Sequence, residues 1–467
     1  MPLLVLAALA RREGWRVRCL DLNYDKIPAE TPDLVGISVW TMLAPQAYQL
    51  ADRYRRQGVP VVLGGVHPSM LPGEALRHAD AVVVGEAESV LGQVLADAVA
   101  GTLGGVYQGT WGQMAGVPRV PEWIDLLDRM PYWRYLPSNT LQTTRGCRFN
   151  CDFCSVIRIN GRGSRHRDPA EVVEELRVLA RRQRFGRFCH VAFLDDDLAA
   201  DLEFTGEMAE AIASAGLGLS WSAQASIGVA GDPKLVELIA RAGCTVLFTG
   251  FESVSRDTLR ECNKKNRPHL YGESIKRLHD RGILIEGAFI FGFDHDEAGV
   301  FDETVDFIDR IEVDTAHFSI LTPLPGTHTF ARMAADERIT TYNWGDYDLY
   351  HAVFEPAGMT ADELERGLWR AYRRFYASGR RWPRWRRHLS LGLRPTVGAT
   401  VTLTNASYAR RYRPGPQVRP SYQAHQTDLE QLLLTSQAPA AEAITTATAQ
   451  LVAPPRRRPS VVTSIPG

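Results

Sequence analysis

The chain has 467 residues, which is enough for two or three domains with cores of their own. A hydrophobic content of 45%, a charged content of 23% and a formal net charge of −1 give it no general attraction to nucleic acids or anionic membranes. Seven cysteines, three of them in one short motif, argue against a disulfide framework and predict a reducing compartment, the cytoplasm. The apolar start lacks the basic region and cleavage site of a signal peptide, so we expect an amphipathic first helix that ends at Gly14. No segment is long enough to be predicted as a membrane span.

Residues 1–110 alternate short apolar strands with helices, which predicts a Rossmann-like, doubly wound parallel sheet of the α/β class. The predicted strands are Arg16–Leu22, Asp33–Val39, Val59–Leu63 and Ala79–Val84. Ligands of such sheets bind beyond the carboxyl ends of the strands. The residues at those ends, and therefore the candidate ligand contacts, are Ser38, Gly64, Gly65, Gly85 and Glu86.

Residues 111–138 read as a linker, and a second β/α series then runs over residues 139–327. Its six predicted strands are Asn139–Thr144, Cys189–Leu194, Leu217–Ser226, Thr245–Phe251, Leu284–Phe293 and Thr315–Leu321. Six βα units are too few for a complete eight-stranded barrel.

The loop after the first of these strands carries Cys147, Cys151 and Cys154 in the pattern C-x-x-x-C-x-x-C. Thiolates at that spacing can converge on one soft metal centre, and three are one short of filling a cubane iron–sulfur cluster. Phe153 can lay its ring beside a bound ligand. The alternatives are cysteines buried as small apolar residues, or a structural zinc site, for which His166 is the near candidate for a fourth ligand.

Polar and glycine-rich segments follow the other strands, where barrel enzymes place their chemistry. These segments are Asp195-Asp196-Asp197, Gln224 with Ser226, Gly250–Ser253, Gly287–Phe293 and Thr322–Thr327. The aspartates suit a bound ammonium group, although an acidic cap of the next helix remains an alternative.

The cysteine loop resembles the C-x-x-x-C-x-aromatic-C signature of the radical S-adenosylmethionine (SAM) superfamily. Residues 1–110 resemble the cobalamin-binding domain that precedes many radical SAM enzymes, through Asp33–Ser38, Gly64–Ser69 and Asp80–Glu88. The resemblance implies a partial (β/α)6 barrel in which the three cysteines hold a 4Fe–4S cluster. It also implies that SAM is contacted by Phe153, Asp195, Asp196, Gln224, Glu252, Ser253, Ile290 and Gly292, and that cobalamin lies against the N-terminal strand ends named above.

The N-terminal region departs from this family in two ways. The family's domain usually begins with a strand and a loop, whereas this chain starts at the first helix, so we expect the first strand to be missing. The cobalt-ligand motif Asp-x-His-x-x-Gly is absent with it. His67 follows the third predicted strand of this chain and not the first, so we predict a packing or turn role for it rather than cobalt ligation.

The resemblance implies a radical SAM enzyme that cleaves SAM to a 5′-deoxyadenosyl radical. We expect a cobalamin-dependent methyltransferase acting on an unactivated carbon, or on phosphorus, of a small-molecule or lipid-like metabolite, with electrons from a flavodoxin or ferredoxin. A radical cyclase or rearrangement enzyme is the main alternative. An RNA methylthiotransferase fits less well, because the N-terminal domain has only Cys19 and the C-terminus reads helical. A regulator with a vestigial barrel conflicts with the intact cysteine triad.

Residues 328–415 are predicted to form a helical C-terminal extension. Thr360 and Glu363 form a capping box that opens a helix to about Ser378. Eight arginines and several aromatic residues lie between Arg370 and Arg387, which indicates either a nucleic-acid or membrane patch or a helix that packs its aromatic side chains on the barrel. We favour packing. Residues 416–467 are of low complexity and predicted to be disordered.

Overall fold

The computed structural model describes residues 2–22, 25, 27–112, 114, 116–128, 139–182, 190–377 and 460–465. The chain divides into two compact units. The first comprises Met1–Gly112, Tyr342–Gly345 and Arg419–Gly467, and the second comprises Gln113–Thr341 and Asp346–Val418. Over the described residues, no helix combines the length and apolarity needed to cross a bilayer.

The N-terminal part of the first unit alternates strands and helices as predicted. Its elements are α1 (Pro2–Arg12), β1 (Arg16–Asp21), β2 (Leu34–Ser38), α2 (Ala44–Arg56), β3 (Val61–Gly64), α3 (Val66–Met70), α4 (Pro72–Ala75), β4 (Ala81–Val84), α5 (Leu91–Ala100) and β5 (Gly105–Gln108). Successive residues of β2 and β3 are buried on both faces of the sheet, which requires apolar strands covered on both sides.

The second unit contains the cysteine loop and the barrel. Its elements are α6 (Val120–Asp128), β6 (Asn139–Leu141), β7 (Thr144–Arg145), α7 (Val156–Ile159), β8 (Arg165–His166), α8 (Pro169–Arg182), β9 (His190–Phe193), α9 (Leu202–Ala215), β10 (Ser220–Gln224), α10 (Pro233–Arg241), β11 (Cys244–Glu252), α11 (Arg256–Glu261), α12 (Tyr271–His279), β12 (Leu284–Phe291), α13 (Val300–Arg310), β13 (Thr315–Ile320), α14 (His328–Ala335) and α15 (Ala361–Phe375).

Six of these strands form one parallel sheet in the order β6-β9-β10-β11-β12-β13, which is the order of the chain. This arrangement confirms the partial barrel of six βα units. Several strands are shorter than predicted, and Gly218, with a φ of +65°, lies before β10. Cys189, the expected start of a strand, and residues 129–138 of the linker lie outside the described residues.

The last strand, β14 (Ser460–Ile465), belongs to the sheet of the first unit. The order of that sheet is β1-β14-β2-β3-β4-β5, and β14 is parallel to both of its neighbours. A doubly wound sheet of order 2-1-3-4-5 has its first strand at this place. The sheet therefore has a strand where we expected a gap, because a strand from the far end of the chain occupies the position.

This strand also corrects the predicted disorder of residues 416–467. Six of those residues pair with β1 and four of the six also pair with β2; Val461, for example, pairs with Val17 and Leu34. Residues 416–459 lie outside the described part of the chain.

Helix α15 packs its aromatic face on the barrel. The capping box is formed as predicted, since Thr360 and Glu363 exchange side-chain and backbone hydrogen bonds. The Tyr372 hydroxyl donates to the Phe318 carbonyl (2.8 Å) and accepts from its amide (3.0 Å), which satisfies the open edge of β13. Arg374 pairs with acidic residues of α13. The packing interpretation is thus confirmed to residue 377, and residues 378–415, with Trp382 and Trp385, lie outside the described residues.

Candidate functional site

The cysteine loop is held by a sharp turn at Gly146. Its φ is +90°, and a Cβ atom there would lie 2.3 Å from the Gly163 carbonyl oxygen, so only glycine fits. The Gly146 amide donates to Asp196 Oδ2 (2.7 Å), and the Gly163 amide donates to the Cys147 carbonyl (3.2 Å). These contacts fix where the loop begins.

The three thiols lie on this one loop in a partly dry environment. Cys151 is buried, and Cys147 and Cys154 are half-buried. Burial raises the pKa of Cys147 to about 11 and that of Cys151 to about 12, and the pKa of Cys154 is also raised, so the thiols are protonated until a metal centre binds them. All the described cysteines are free of disulfides.

The donor set fits a cubane cluster better than zinc. A cubane attaches each thiolate to a different iron, so the three sulfurs need not converge on a single ion. His166, the candidate fourth zinc ligand, stacks on Phe204 (centroids 4.4 Å apart) and its Nε2 lies 3.7 Å from Asp201.

The aspartate run after β9 holds the loops of the site together. Asp195 accepts hydrogen bonds from the Thr143 amide (2.6 Å), the Thr143 hydroxyl (2.5 Å) and the Thr144 amide (2.8 Å), and it is only 3% exposed. Burial raises the pKa of Asp195 to about 6. Contact between Asp195 and the SAM amino group is therefore not supported by this position, because its carboxylate is enclosed by the strand that leads into the cysteine loop.

Asp196 and Asp197 continue this pattern. Asp196 binds the Gly146 amide and the Asn160 side-chain amide (2.8 Å) through one oxygen, and burial raises its pKa. Asp197 accepts from the Ala199 amide (3.0 Å) and the Ser226 amide (2.8 Å). Each of the two aspartates uses one oxygen for these contacts, but Asp197 is only 5% exposed whereas Asp196 is half-buried, so Asp196 stays our candidate for contact with a ligand.

Sequence reasoning missed a buried lysine beside the loop. Lys264 Nζ donates to Glu252 Oε1 at 2.9 Å, and their side chains are only 14% and 9% exposed. Burial alone would lower the pKa of Lys264, but the Glu252 carboxylate raises it above its usual value, so the lysine is positively charged. No motif marks it, because a lysine in a polar loop is typical of a solvated surface.

The remaining predicted SAM contacts lie along the inner face and upper ends of β10 to β12. Gln224 donates to the Asp196 carbonyl (2.9 Å), and Ile290 is half-buried on the inner face. Ser253 is buried and accepts from the Ser255 amide (3.0 Å), which is a turn contact. Gly292 has a φ of +101° and donates its amide to Asp296 (2.9 Å).

Phe153 lies in the cysteine loop, and its ring is positioned by a contact with Phe293. Its ring meets the buried Phe293 edge-on, with centroids 6.2 Å apart. The contact orients the ring that precedes Cys154. Contacts of Phe153 with SAM stay a prediction.

In the first unit, the glycine loops meet at the carboxyl edge of the sheet. The Ser69 hydroxyl donates to the Gly65 carbonyl (2.7 Å) and accepts from the Gly85 amide (3.0 Å), so the loops after β3 and β4 are joined. A Cβ atom at Gly65 would lie 2.9 Å from the Val39 amide and 3.2 Å from the Ser38 hydroxyl. Gly65 thus allows the loops after β2 and β3 to approach each other.

The same edge of the sheet carries exposed apolar side chains. Trp40 and Met42, which follow β2 directly, are 60% and 41% exposed. Gly64 ends β3, and the half-buried Gly85 and the buried Glu86 follow β4. Exposed apolar groups beside closely spaced backbone suit a flat macrocycle with a polar tail, so the edge fits cobalamin.

His67 has the packing role that we predicted. It is fully buried, its Nε2 lies 3.4 Å from Glu74 Oε1, and its ring meets Trp344 edge-on. The Trp344 indole donates to the same Glu74 oxygen (2.9 Å). Burial alone would raise the pKa of Glu74, but these hydrogen bonds hold it below its usual value. His67 therefore anchors the Tyr342–Gly345 segment within the first unit.

Comparison with known proteins matches both regions. The family model of the radical SAM superfamily covers residues 141–308, and that of the B12 binding domain covers residues 1–95. The bacteriochlorophyllide d C-12(1)-methyltransferase of Chlorobaculum tepidum is 34% identical over 382 residues, which is 80% of this chain and 82% of that protein. The chain belongs to the radical SAM superfamily. Within it, the chain is a radical SAM enzyme with an N-terminal B12-binding domain.

Two further relatives bear on the reaction and the fold. The anaerobic magnesium-protoporphyrin IX monomethyl ester cyclase of Rubrivivax gelatinosus is 28% identical, over 75% of this chain and 67% of that protein. The radical SAM methyltransferase TsrM of Kitasatospora setae, solved with cobalamin and a [4Fe–4S] cluster, shares the fold with a TM-score of 0.59 at 16% identity, over 85% of this chain and 86% of that one. This radical SAM enzyme uses a 4Fe–4S cluster, SAM and cobalamin, and it is a cobalamin-dependent methyltransferase; the cyclase alternative is less supported.

Proposed function

We propose that this radical SAM enzyme methylates an unactivated carbon of a small molecule that binds against the inner face of the barrel. The observation that carries the proposal is the presence, in one chain, of a three-cysteine loop at the end of the first barrel strand and a glycine-lined, apolar edge on a B12-type sheet. When bound, the cluster and SAM supply a radical that removes a hydrogen atom, and cobalamin supplies the methyl group.

The residues of this chain divide the work of holding these groups. Our candidates for the ligands of three cluster irons are Cys147, Cys151 and Cys154, since no other described cysteines share a loop with them. Asp196 and Gln224 lie next to each other beside that loop and are our candidates for the amino group of SAM. Trp40 and Met42 are our candidates for the apolar surface of cobalamin, together with the predicted contacts of the glycine loops.

The inner face of the barrel is our candidate substrate pocket. Along β9 to β13, side chains that point to the surrounding helices are buried, whereas the alternating side chains of the inner face stay partly exposed. The inner-face residues are His190, Ala192, Ser222, Val246, Phe248, Glu286, Ala288, Ile290, His317 and Ser319. Eight-stranded barrels fill this space with side chains, so its accessibility here favours a bound substrate.

One polar pair in this pocket is placed to orient the substrate. His317 Nε2 contacts Glu286 Oε1 across β12 and β13, and each side chain is 26% exposed. The Phe248 ring lies 5.7 Å from the imidazole. A polar pair beside an aromatic ring suits a largely apolar substrate with one polar anchor. We expect His317→Ala to weaken substrate use and to leave cluster loading unchanged.

The relatives point to a first substrate class to test. The methyltransferase of Chlorobaculum tepidum acts on bacteriochlorophyllide d, and the cyclase of Rubrivivax gelatinosus acts on magnesium-protoporphyrin IX monomethyl ester. Magnesium tetrapyrroles therefore head our substrate panel, followed by lipid-like metabolites. We also propose a flavodoxin or ferredoxin as the one-electron donor and the cytoplasm as the compartment, supported by the free cysteines of the chain.

The deciding experiment uses the anaerobically reconstituted full chain with cobalamin, a flavodoxin system and SAM that carries a trideuteromethyl group. Methylation predicts a product with the labelled methyl group on carbon, together with 5′-deoxyadenosine. A substrate that is consumed without gaining the label indicates the cyclase or rearrangement reaction instead. Cys147→Ala protein serves as the control, and any labelled product formed by it contradicts the proposal.

A further inference from the structure

Lys264 is held against the cysteine loop by the backbone around it. The Asp152 amide donates to the Cys262 carbonyl (3.1 Å), and the Asn263 side-chain amide donates to the Asn150 carbonyl (2.8 Å). Cys262 and Asn263, the two residues before Lys264, are thereby joined to the cysteine loop. Asn150 lies between its first and second cysteines, and Asp152 lies between its second and third. The position of the lysine relative to the loop is therefore fixed by two hydrogen bonds, not by its own side chain alone.

Glu252, the partner of Lys264, is fixed just as firmly. It has a φ of +65°, which is rare for a residue with a side chain, and it lies at a register shift between β11 and β12. A Cβ atom at Gly250 would lie 2.3 Å from Glu252 Oε1, so the glycine provides the space for the carboxylate. Strained backbone of this kind is concentrated at functional sites.

The two charges act on the cysteines with opposite sign. Burial has the largest effect on the pKa of the three thiols, and the Lys264 ammonium lowers the pKa of each of them. The Glu252 carboxylate raises the pKa of Cys151 and Cys154. The hydrogen bonds of Cys262 and Asn263 to the cysteine loop place Lys264 beside that loop, and Glu252 contacts Lys264, so both charges lie next to any negative charge that develops there.

We propose that Lys264 and Glu252 form a tuning pair that sets the reduction potential of the iron–sulfur cluster. The inference rests on the proposed attachment of the cluster to Cys147, Cys151 and Cys154. Reduction adds one electron to the cluster, so the Lys264 charge favours the reduced state and the Glu252 charge opposes it. The pair lies at low exposure, where water screens little of this effect.

The test is a potentiometric titration of the reconstituted full chain, followed by electron paramagnetic resonance without SAM or substrate. Lys264→Met is expected to shift the midpoint potential to a more negative value, and Glu252→Gln to a less negative value. A tenfold change in the reduction equilibrium corresponds to about 59 mV for one electron, and we expect at least that shift for Lys264→Met. Lys264→Arg should stay near the wild-type potential because it keeps the charge.

Two controls separate tuning from a structural role. Lys276→Met removes an exposed lysine, 74% exposed and paired with Asp280, and should leave the potential unchanged. Iron and sulfide content is measured for every variant. Shifts of equal sign in Lys264→Met and Glu252→Gln, or none in either, overturn the proposal. If Lys264→Met binds no cluster, the midpoint potential of Glu252→Gln alone tests the proposal. An unchanged or more negative potential in that variant overturns the proposal. A wild-type chain without iron refutes the proposed cluster site instead.

Discussion

The two sheets of this protein are assembled in different ways. In the barrel sheet, the strand order β6-β9-β10-β11-β12-β13 follows the chain, so each strand pairs with the next strand of the series. In the sheet of the first unit, β14 from the end of the chain lies between β1 and β2. Strands β2 to β5 of the first sheet also pair in chain order, so only the position between β1 and β2 depends on a distant part of the chain. The first sheet depends on a contact that spans more than four hundred residues.

This difference affects how each site depends on the rest of the molecule. The cysteine loop is braced by groups from nearby strands, such as Thr143, Asp195 and Asp196. The glycine loops of the first unit are braced by Ser69 and by close backbone contacts, but the sheet beneath them needs β14 to be continuous. We therefore expect substitutions in one unit to leave the cofactor of the other in place.

The largest effect is expected at the cluster ligands. Cys151→Ala should abolish iron binding and SAM cleavage, because the cluster would lose one of three attachments. Cys262→Ala is the matched control, since Cys262 is also buried and its carbonyl accepts from the Asp152 amide of the loop. Iron content and 5′-deoxyadenosine formation are measured for both. If the cluster were retained in Cys151→Ala and lost in Cys262→Ala, Cys262 and not Cys151 would be the cluster ligand, which would contradict the prediction.

The second prediction breaks the long-range contact. Val462→Pro removes a backbone donor from the middle of β14, which has neighbours on both sides, and should destabilise the first unit by about 3 kcal/mol or more. Cobalamin binding is expected to fall while iron content and SAM binding of the barrel stay at wild-type levels. Equilibrium dialysis with hydroxocobalamin and an iron assay check the two halves. Unchanged cobalamin binding and unchanged stability would show that β14 is not needed in the sheet.

The fold and part of the site follow from local patterns, and the rest does not. The cysteine spacing, the capping box at Thr360 and the βα series are all encoded within a few residues or one repeating unit. β14 has no such signal, because nothing in its own sequence indicates that it pairs with β1 and β2. Asp195 was expected to contact SAM, yet a run of three aspartates does not reveal which member hydrogen-bonds to the neighbouring backbone, as Asp195 does to Thr143 and Thr144. Lys264 was missed because its burial depends on Glu252, which lies twelve residues earlier.

The third prediction compares two glycines of the cysteine loop region. Gly146→Ala should cost about 3 kcal/mol or more and lower iron content, since the new Cβ atom would lie 2.3 Å from a carbonyl oxygen at a φ of +90°. Gly163→Ala has a φ of +94° but no atom within 4 Å of its Cβ position, so it should cost about 1–2 kcal/mol and leave iron content near wild type. Thermal unfolding and an iron assay measure both. Equal losses in the two variants would mean that backbone strain alone, and not the close approach of the loop, requires glycine.

The smallest effect concerns a histidine on the inner face of the barrel, and it is visible only as a pH dependence. Burial lowers the pKa of His190 to about 4, and its ring nitrogens lie 3.0 Å from the Ser220 and Ser222 hydroxyls. The unfolded chain takes up a proton near pH 6.5, whereas the folded chain does so only near pH 4, so the free energy of unfolding falls as the pH drops through this window. Between pH 7 and pH 5 the loss due to His190 is about 2 kcal/mol. His190→Gln keeps a polar side chain without a titrating group, and denaturant unfolding should show a correspondingly smaller loss of stability between these pH values. An identical pH dependence in the variant would mean that folding does not change the pKa of His190 and would contradict this prediction.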